Sequence, residues 1–405
     1  MKMNLTRYLN LSNYLLKLAI VPIMLVFFSN SVYAQTIYYD TYAFRIPLTL
    51  NNASLGITTD QTNFVALVKV TSPNFVSGVC SDQTGGISSS IPVFAIIDSA
   101  YSTTQELNYQ VENYNTTTGV IYFWVKIPDL YKSTSNKLYC YFGTTNPSVV
   151  HSTAWQKLTW SNVVTTAPGI TYSGVWHFNE NPSGSSPQFS DATVNNNNLT
   201  VGSYLGSLGS VTQNTSSQIG NGITLTATSV LDTIATAMPN TTSSQTLSLW
   251  ASYPSTPPHT ANLIVLENGT NPATTGNGTQ LGVLLNGSAT TLQTWRWANR
   301  LTPLVSSTTI PTAVTWHHYA YAYDSVANKS YLYLDGALLA GPTSNSSNKP
   351  FSGKVTMVSF GDYINNQIPS GPKIVGGQSY TGTMDESHVI GTTLTADWKW
   401  CLASP

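Results

Sequence analysis

This 405-residue sequence has very little charge. Charged side chains make up 8% of the chain, whereas average soluble proteins have about 25%. The formal net charge is −1 and no basic stripe is present, so the sequence gives nucleic-acid binding no support. Serine, threonine, asparagine and glutamine must cover the surface instead. Such a surface suits an exterior with extreme pH or salt, or an assembly packed against polysaccharide. Compositional drift among extracellular β-proteins is the alternative explanation.

Long apolar runs are also scarce, and the one that is present lies at residues 18–28. Basic residues up to Lys17 precede it, and small residues ending at Ala34 follow it. This order predicts a secretory signal peptide over residues 1–34, with an uncleaved amino-terminal anchor as the alternative. The run is shorter than the roughly 20 apolar residues that a membrane-spanning helix needs. We therefore expect a secreted or cell-surface protein with no membrane span after cleavage.

The sequence has three cysteines, and it has no C-x-x-C motif or histidine–cysteine cluster that would indicate zinc. Export permits a disulfide. Cys80 and Cys140 fall in the same predicted domain, where they either form a disulfide or stay reduced. Cys401 is left over near the carboxyl terminus, where a buried thiol is more common than an intermolecular bridge.

Two domains follow residue 34. Short strand-like runs separated by turn clusters occupy residues 36–160 without amphipathic helices, which is typical of a β-sandwich. The Ala-Pro-Gly sequence at residues 167–169 breaks the pattern before a second domain over residues 171–405. We predict an all-β chain of two β-sandwich domains in tandem.

The second domain contains the clearest strand pattern. Within residues 316–324, tyrosines alternate with alanines from Tyr319 to Tyr323, and residues 331–334 alternate tyrosine with leucine before Asp335 and Gly336. Period-two alternation predicts half-buried strands. An Asp-Gly pair supplies the positive φ angles of a two-residue hairpin turn.

The second domain resembles the laminin-G-like, concanavalin A-like lectin domains of secreted proteins. The resemblance rests on segments in the family's order, at residues 175–180, 246–250, 316–336, 380–390 and 395–400. It implies a concanavalin A-like jelly roll with a short C-terminal helix, and binding at a cell surface. The family pattern has arginine where His388 stands, which leaves the role of that position open.

The first domain resembles a small prokaryotic domain of uncharacterised function that often precedes a concanavalin A-like module. Residues 44–52, 121–128 and 138–143 carry this resemblance. Since that family has no assigned activity, the resemblance implies architecture and export only.

Motifs for catalysis are missing. Concanavalin A-like folds include glycoside hydrolases, which need two facing carboxylates about 5–10 Å apart. On a strand such a pair is separated by two or four residues, and the second domain has no E-x-D or E-x-x-x-E pattern. Asp385 and Glu386 are adjacent, so a regular strand would place them on opposite faces. No G-x-S-x-G elbow is present either. We assign no catalytic residues and do not expect an enzyme.

Glu180, Asp191 and Asp385 are the candidate metal ligands. The first and last strands of this fold are neighbours, so these carboxylates could converge on a structural Ca²⁺, which takes about six to eight oxygen ligands. Many relatives hold a structural calcium with residues of this kind. The alternative is that Asp191 caps a turn and Asp385 pairs with a backbone group.

Trp295 and Trp297, which flank Arg296, are the candidate ligand-binding residues together with that arginine. In a strand both indoles would lie on one face and could stack against sugar rings, with Arg296 on the other side. The alternative is that both indoles pack in the core between the sheets.

These observations predict a secreted, non-enzymatic binding protein whose second domain recognises a glycan or a cell-surface protein. One alternative is a structural subunit of an extracellular layer, sheath or filament, for which self-assembly is expected. Another is a polysaccharide-active hydrolase. Sequons of the N-x-S/T type, such as those at Asn115 and Asn198, permit glycosylation without showing it.

Overall fold

The structure of the protein is a computed structural model. It describes residues 44–50, 59–75, 94–98, 106–115, 117–142, 152–161, 170–202, 210–226, 229–239, 243–254, 261–267, 280–286, 291–296, 305–307, 314–344, 355, 357–361, 364–365, 373–374 and 379–394. The predicted signal peptide, the Ala-Pro-Gly break and the predicted C-terminal helix with Cys401 lie outside these residues. The division into domains over residues 36–160 and 171–405 stays a prediction.

The N-terminal part of the described chain is a sandwich of two three-stranded antiparallel sheets. Its strands are β1 (Phe44–Leu50), β2 (Gln61–Thr71), β3 (Phe94–Asp98), β4 (Tyr109–Asn115), β5 (Val120–Leu130) and β6 (Asn136–Phe142). In one sheet β6 lies between β1 and β3, and in the other β5 lies between β2 and β4. The two sheets share one hydrophobic core, to which Leu48, Phe64, Phe123 and Leu138 contribute.

Short helical elements connect the strands. They are a 3₁₀ turn at Pro73–Phe75, helix α1 (Thr153–Lys157) and a 3₁₀ turn at Leu158–Trp160. At the end of α1, the ammonium of Lys157 donates to the carbonyl oxygens of Asp191 and Thr193 at 2.7 and 3.0 Å. These bonds attach the connecting segment to the first long loop of the C-terminal part. None of the helices in the described part of the chain is long and apolar enough to cross a membrane.

The C-terminal part is a larger antiparallel sandwich. Its strands are β7 (Tyr172–Trp176), β8 (Thr200–Val201), β9 (Val211–Asn214), β10 (Gly222–Leu225), β11 (Leu231–Ile234), β12 (Gln245–Ser252), β13 (Ala261–Glu267), β14 (Gln280–Asn286), β15 (Thr291–Arg296), β16 (Val305–Ser307), β17 (His317–Asp324), β18 (Lys329–Leu334), β19 (Ala337–Ser344), β20 (Met357–Phe360), β21 (Ile364–Asn365), β22 (Lys373–Ile374) and β23 (Gly382–Ile390). The eight-stranded sheet has the order β19–β18–β17–β12–β23–β10–β9, and β7 also pairs with β23. The seven-stranded sheet has the order β16–β15–β14–β13–β20–β11–β8, and β21 pairs with β22.

Strand β17 shows why the two larger sheets pack together. Tyr319, Tyr321 and Tyr323 lie in the core between the sheets. Ala320 and Ala322 lie in a separate cluster on the opposite face. This is the alternation that the sequence predicts, and the tyrosine face is the one that packs against the second sheet. The alanine face is buried as well.

The turn between β18 and β19 is the two-residue turn predicted from the sequence. Asp335 has a φ of 50° and Gly336 a φ of 76°, as a turn matching the twist of a hairpin requires. The all-β fold class of the chain is confirmed.

Candidate functional site

The two sandwiches meet at a buried interface between the outer face of the β2–β5–β4 sheet and strands β7 and β23. The indole of Trp124 on β5 packs edge-on against the imidazole of His388 on β23, with ring centroids 5.8 Å apart. Trp160 packs in the same way against Tyr172 on β7, at 5.0 Å. Ile390 on β23 belongs to the same hydrophobic cluster as the core of the N-terminal sandwich. The interface is therefore packed as a protein core is.

Three ionisable side chains meet inside this interface: Glu112 from β4, His177 just after β7 and Glu386 from β23. The Nδ1 atom of His177 lies 2.7 Å from Oε2 of Glu112 and 2.9 Å from Oε2 of Glu386. The exposed fractions of the side chains are 0% for Glu112, 6% for His177 and 1% for Glu386. Their ligand atoms all lie within 4.8 Å of one another. We name these three residues the interface cluster.

A β-bulge brings Glu386 to this position. The register of β23 against β12 shifts here, so that β23 has one residue more than its partner. Met384 and Val389 both lie in the core of the C-terminal sandwich, although a regular strand would place residues five positions apart on opposite faces. The extra residue in the bulge puts Met384 and Val389 on the same face of the sheet, and Glu386, within the bulge, has a φ of 42°. Bulges of this kind re-aim side chains and are frequent beside functional sites.

His177 is positioned by the residue before it. Trp176 ends β7 inside the core of the C-terminal sandwich, and its Nε1 donates to the carbonyl oxygen of Asn197 at 2.9 Å. Gly174 makes room for the indole, because a Cβ at that position would lie 2.3 Å from the ring. Since successive residues face opposite sides of a strand, anchoring Trp176 in the core turns His177 towards the N-terminal sandwich.

Hydrogen bonds determine which nitrogen of His177 carries a proton. The indole nitrogen of Trp160 can only donate, and it donates to Oε1 of Gln110. The same oxygen lies 3.2 Å from Nε2 of His177, so Nε2 must carry a hydrogen and donate it. In neutral His177 the other nitrogen, Nδ1, therefore has a lone pair that faces both carboxylates of the interface cluster.

The carboxylate of Glu112 is held from both sandwiches. The indole nitrogen of Trp124 donates to its Oε2 at 3.2 Å. The side-chain amide of Asn179, which follows β7 by three residues, donates to its Oε1 at 3.0 Å. These bonds fix the carboxylate without help from the other two members of the cluster.

Burial and like charge keep protons on this group of residues. Burial, together with the charge of Glu112, raises the pKa of Glu386 to about 8 against the opposing charge of His177. Burial by itself lowers the pKa of His177, but the two carboxylates outweigh it, so that this pKa lies well above its usual value. Burial and the charge of Glu386 raise the pKa of Asp385 well above its usual value. The group retains protons that isolated side chains would lose.

Two further histidines lie in the eight-stranded sheet beside the cluster. His388 on β23 and His318 on β17 are 2% and 1% exposed, and within the described residues neither ring has a hydrogen-bond partner. Burial lowers the pKa of His388 well below its usual value, with the charges of His177 and His318 adding to the effect. Burial lowers the pKa of His318 to about 3. Both rings are neutral at pH 7 and pack against tryptophan side chains.

The predicted metal ligand Asp191 is occupied by hydrogen bonds within the protein. Its Oδ1 accepts from the amides of Val175 and Thr193, at 3.1 and 2.9 Å. Its Oδ2 accepts from the amide of Asn197 and the hydroxyl of Thr193, both at 2.8 Å. This geometry matches the alternative in which Asp191 caps a turn.

The other two predicted metal ligands also accept backbone hydrogen bonds. Asp385 accepts from the amides of Ile219 and Glu386, at 2.8 and 3.0 Å. Glu180 accepts from the amide of Ser190 at 2.8 Å. Among the described residues, these two and Asp191 do not form a group with ligand atoms within 4.8 Å of one another. Calcium binding by these three residues stays a prediction.

The remaining predicted site residues lie largely outside the described part of the chain. The backbones of Trp295 and Arg296 end β15, which pairs with β14. Trp297, and the side chains of Trp295 and Arg296, lie outside the described part of the chain. Cys140 is buried on β6, and Cys80 lies outside the described residues. The sugar-stacking platform and the disulfide both stay predictions.

Sequence reasoning missed the interface cluster, although part of a signal existed. His177 and Glu386 lie in two of the segments that carry the family resemblance. His177 directly follows the first strand of the sandwich, β7, which pairs with the last strand, β23, where Glu386 lies. Ionisable residues at the ends of neighbouring strands could have been considered as a pair. Glu112 belongs to the other sandwich and stands in a strand without a comparable motif, so no pattern in the sequence indicated it.

Two family models match the chain. Residues 220–398 match the concanavalin A-like lectin/glucanases superfamily, and residues 90–156 match a domain of unknown function (DUF2341). Both resemblances predicted from the sequence, and their order, are confirmed. No curated protein matches the chain.

Solved structures are similar to the chain at low identity. Domain 4 of AbnA, a GH43 extracellular arabinanase from Geobacillus stearothermophilus in complex with arabinotriose, is 18% identical, with 58% of this chain and 98% of that chain covered and a TM-score of 0.41. The heptameric SAP-like pentraxin from Limulus polyphemus is 17% identical, with 40% and 70% covered and a TM-score of 0.31. The CBM40 of the Ruminococcus gnavus IT-sialidase, bound to α2,3-sialyllactose, is 11% identical, with 40% and 83% covered and a TM-score of 0.30.

Proposed function

Because residues 220–398 belong to the concanavalin A-like lectin/glucanase superfamily, we propose that the protein is a secreted or cell-surface protein that binds carbohydrate through this domain. The family match is the observation that carries the proposal. The apolar run at residues 18–28, flanked as in a signal peptide, supports export.

The proposed binding surface is the outer face of the seven-stranded sheet around β15. The eight-stranded sheet is partly covered, because the N-terminal sandwich packs on β7 and β23. On β15, Leu292 is fully buried in the core, and position 295 follows it by three residues, so we propose that position 295 belongs to the opposite, outer face of the sheet. The aromatic residue at that position, Trp295, is of the type that stacks on sugar rings. With charge on only 8% of residues, we expect aromatic and neutral polar side chains to carry the binding.

We propose binding without catalysis. A glycosidase holds two carboxylates on either side of a sugar and needs access to both. The closest pair of glutamates described above, Glu112 and Glu386, contacts one imidazole nitrogen from two sides and is buried. No sugar ring fits between them in this arrangement. The pair therefore supports a role in holding the interface and gives no support to hydrolysis.

A glycan array probed with the secreted protein tests the proposal. We expect binding that changes little between low and high salt, because salt screens charges and leaves stacking on an indole face nearly unaffected. Trp295→Ala should weaken that binding by about tenfold, which corresponds to ~1.4 kcal/mol of lost stacking. Gln293→Ala, two positions away on the same strand, is the matched control and should bind normally.

Two results would contradict the proposal. One is a protein that is folded and binds no glycan, which, together with large assemblies in solution, would favour a structural subunit. The other is full glycan binding by folded Trp295→Ala, which would place the ligand site elsewhere. If this variant loses ~3–5 kcal/mol of stability instead, the indole belongs to the core.

A further inference from the structure

We propose that Glu112, His177 and Glu386 bind a divalent transition-metal ion that fastens the N-terminal sandwich to the C-terminal sandwich. The three side chains come from both sides of a buried interface and converge on one point. Four observations support a metal there: the spacing of the ligand atoms, the lone pair of the imidazole, the charge of the group and the hydrogen bonds around it.

The spacing of the ligand atoms suits a metal with little rearrangement. Metal–ligand bonds to imidazole nitrogen and carboxylate oxygen are about 2.0–2.2 Å, so ligands at right angles lie ~3.0 Å apart. Nδ1 of His177 lies 2.7 Å from Glu112 and 2.9 Å from Glu386. The three groups need to separate by only a few tenths of an ångström to admit the ion.

The tautomer of His177 gives an independent reason. Trp160 makes Oε1 of Gln110 an acceptor, and Gln110 in turn requires a proton on Nε2 of His177. In the metal-free protein the raised pKa of His177 leaves a hydrogen on Nδ1, which faces both carboxylates. An ion that displaces this hydrogen meets the lone pair of neutral Nδ1 and both carboxylates at one point.

Charge and ligand type identify the class of ion. Once an ion has displaced their protons, two carboxylates and a neutral imidazole carry a charge of minus two, which a divalent cation neutralises inside the buried interface. Imidazole suits Zn²⁺ and related transition ions, and carboxylates suit these ions and Mn²⁺. Ca²⁺ prefers oxygen ligands, so the imidazole in this set favours Zn²⁺ or Mn²⁺ over Ca²⁺.

The hydrogen bonds around the cluster are those of an outer shell. A histidine ligand usually donates its second ring N–H to a fixed acceptor, and carboxylate ligands are themselves hydrogen-bonded. Gln110 is the fixed acceptor for the second ring N–H of His177. Trp124 and Asn179 donate hydrogen bonds to the carboxylate of Glu112. The ligands are therefore oriented before any ion arrives.

Metal titration of the whole secreted protein tests the proposal. The protein is stripped with a chelator, dialysed, and titrated with Zn²⁺, Mn²⁺ and Ca²⁺ in separate calorimetric experiments. We expect one equivalent of Zn²⁺ or Mn²⁺ to bind and to raise Tm by several degrees at saturation, because an ion that binds only the folded state stabilises it. Ca²⁺ should bind this site more weakly than either.

Variants locate the site. Glu112→Gln and Glu386→Gln each remove one charged ligand and keep its shape, and should weaken metal binding by more than ~100-fold, since loss of an outer-shell partner alone costs about 10–100-fold. Gln110→Ala removes an outer-shell partner and should weaken metal binding by about 10–100-fold. Asp335→Asn is the matched control, because Asp335 lies 2.7 Å from Nδ1 of the surface residue His317. It should bind metal as the unmodified protein does.

Three outcomes would overturn the proposal. The stripped protein could bind neither Zn²⁺ nor Mn²⁺, it could bind only Ca²⁺, or both glutamine variants could bind metal as tightly as Asp335→Asn does. If the glutamine variants fail to fold, the ¹⁵N resonance of His177 Nδ1 in the unmodified protein decides. It should shift strongly when Zn²⁺ binds, and an unchanged resonance would also overturn the proposal.

Discussion

Replacing Asp191 with asparagine should destabilise the protein, because the carboxylate satisfies four donors at once. Asp191 is fully buried. Each of its oxygens accepts two hydrogen bonds, from the amides of Val175, Thr193 and Asn197 and from the hydroxyl of Thr193. Asparagine offers one oxygen and one NH₂ group, so two of these donors would face another donor.

The expected loss follows from these four bonds. A hydrogen bond to a charged group contributes about 1.5–3 kcal/mol, and a buried donor left unsatisfied costs about 1–3 kcal/mol. The Thr193 hydroxyl can rotate and accept from the new NH₂ group, which limits the unsatisfied donors to one backbone amide. The loss in free energy of unfolding should therefore be about 2–4 kcal/mol.

Urea unfolding at pH 7 measures the effect, with Asp324→Asn as the matched control. Asp324 accepts from the amides of Val326 and Ala327 through one oxygen, at a turn. Asparagine keeps that acceptor, so this change should cost less than ~0.5 kcal/mol. Equal stability of Asp191→Asn and the unmodified protein would refute the four-bond account.

The same experiment decides the calcium prediction. Chelator-stripped protein is unfolded with and without added Ca²⁺. Calcium binding by the predicted ligands would raise the unfolding midpoint, whereas a carboxylate of Asp191 that serves only its four protein donors would leave the midpoint unchanged. Stabilisation of the unmodified protein by Ca²⁺ that Asp191→Asn abolishes would show that Asp191 is a calcium ligand after all.

Two further predictions concern buried aromatic side chains. The folded pKa of His318, about 3, lies below its ordinary value of 6.5, so the unfolded chain binds the proton more readily and stability is lost as pH falls from 6.5 towards 3. Between pH 6.5 and 5 the loss in free energy of unfolding should be about 2 kcal/mol. His318→Phe should remove this pH-dependent loss, as measured by urea unfolding. If the variant keeps the same pH dependence, His318 is not its source. Trp160→Ala should cost ~3–5 kcal/mol of stability, whereas Leu158→Ala, at a side chain 38% exposed, should cost less than ~1 kcal/mol; equal losses would show that Trp160 does not anchor the interface.

The fold could be predicted because its signals are local. The tyrosines of β17 alternate with small residues within one strand, and the Asp335–Gly336 pair meets the φ requirement of the turn within two residues. Each of these patterns spans only a few neighbouring residues, so it can be read from the sequence without knowing the tertiary structure. The order of such segments was enough to recognise both families.

The interface cluster could not be predicted in the same way, because its signals are distant. His177 and Glu386 are 209 residues apart, and Glu112 joins them only because one sandwich packs against the other. The face that Glu386 takes depends on a bulge, where the period of two on which strand prediction relies is interrupted. No local pattern encodes either the packing of two domains or a single extra residue.

The use of charge in this chain also bears on the role of the cluster. Ionisable residues buried at or beside the interface include Glu112, Lys126, His177, Asp385, Glu386 and His388, in a chain where only 8% of residues are charged. Burying an ionised group costs several kcal/mol unless partners compensate, and apolar side chains would pack such an interface at no such cost. Hydrogen bonds from Trp124 and Asn179 already orient the carboxylate of Glu112. The second carboxylate, Glu386, faces the same imidazole nitrogen and helps to raise the pKa of His177. A divalent cation in place of the proton on that nitrogen would contact both carboxylates and the imidazole at once, which accounts for a second carboxylate that packing alone does not require.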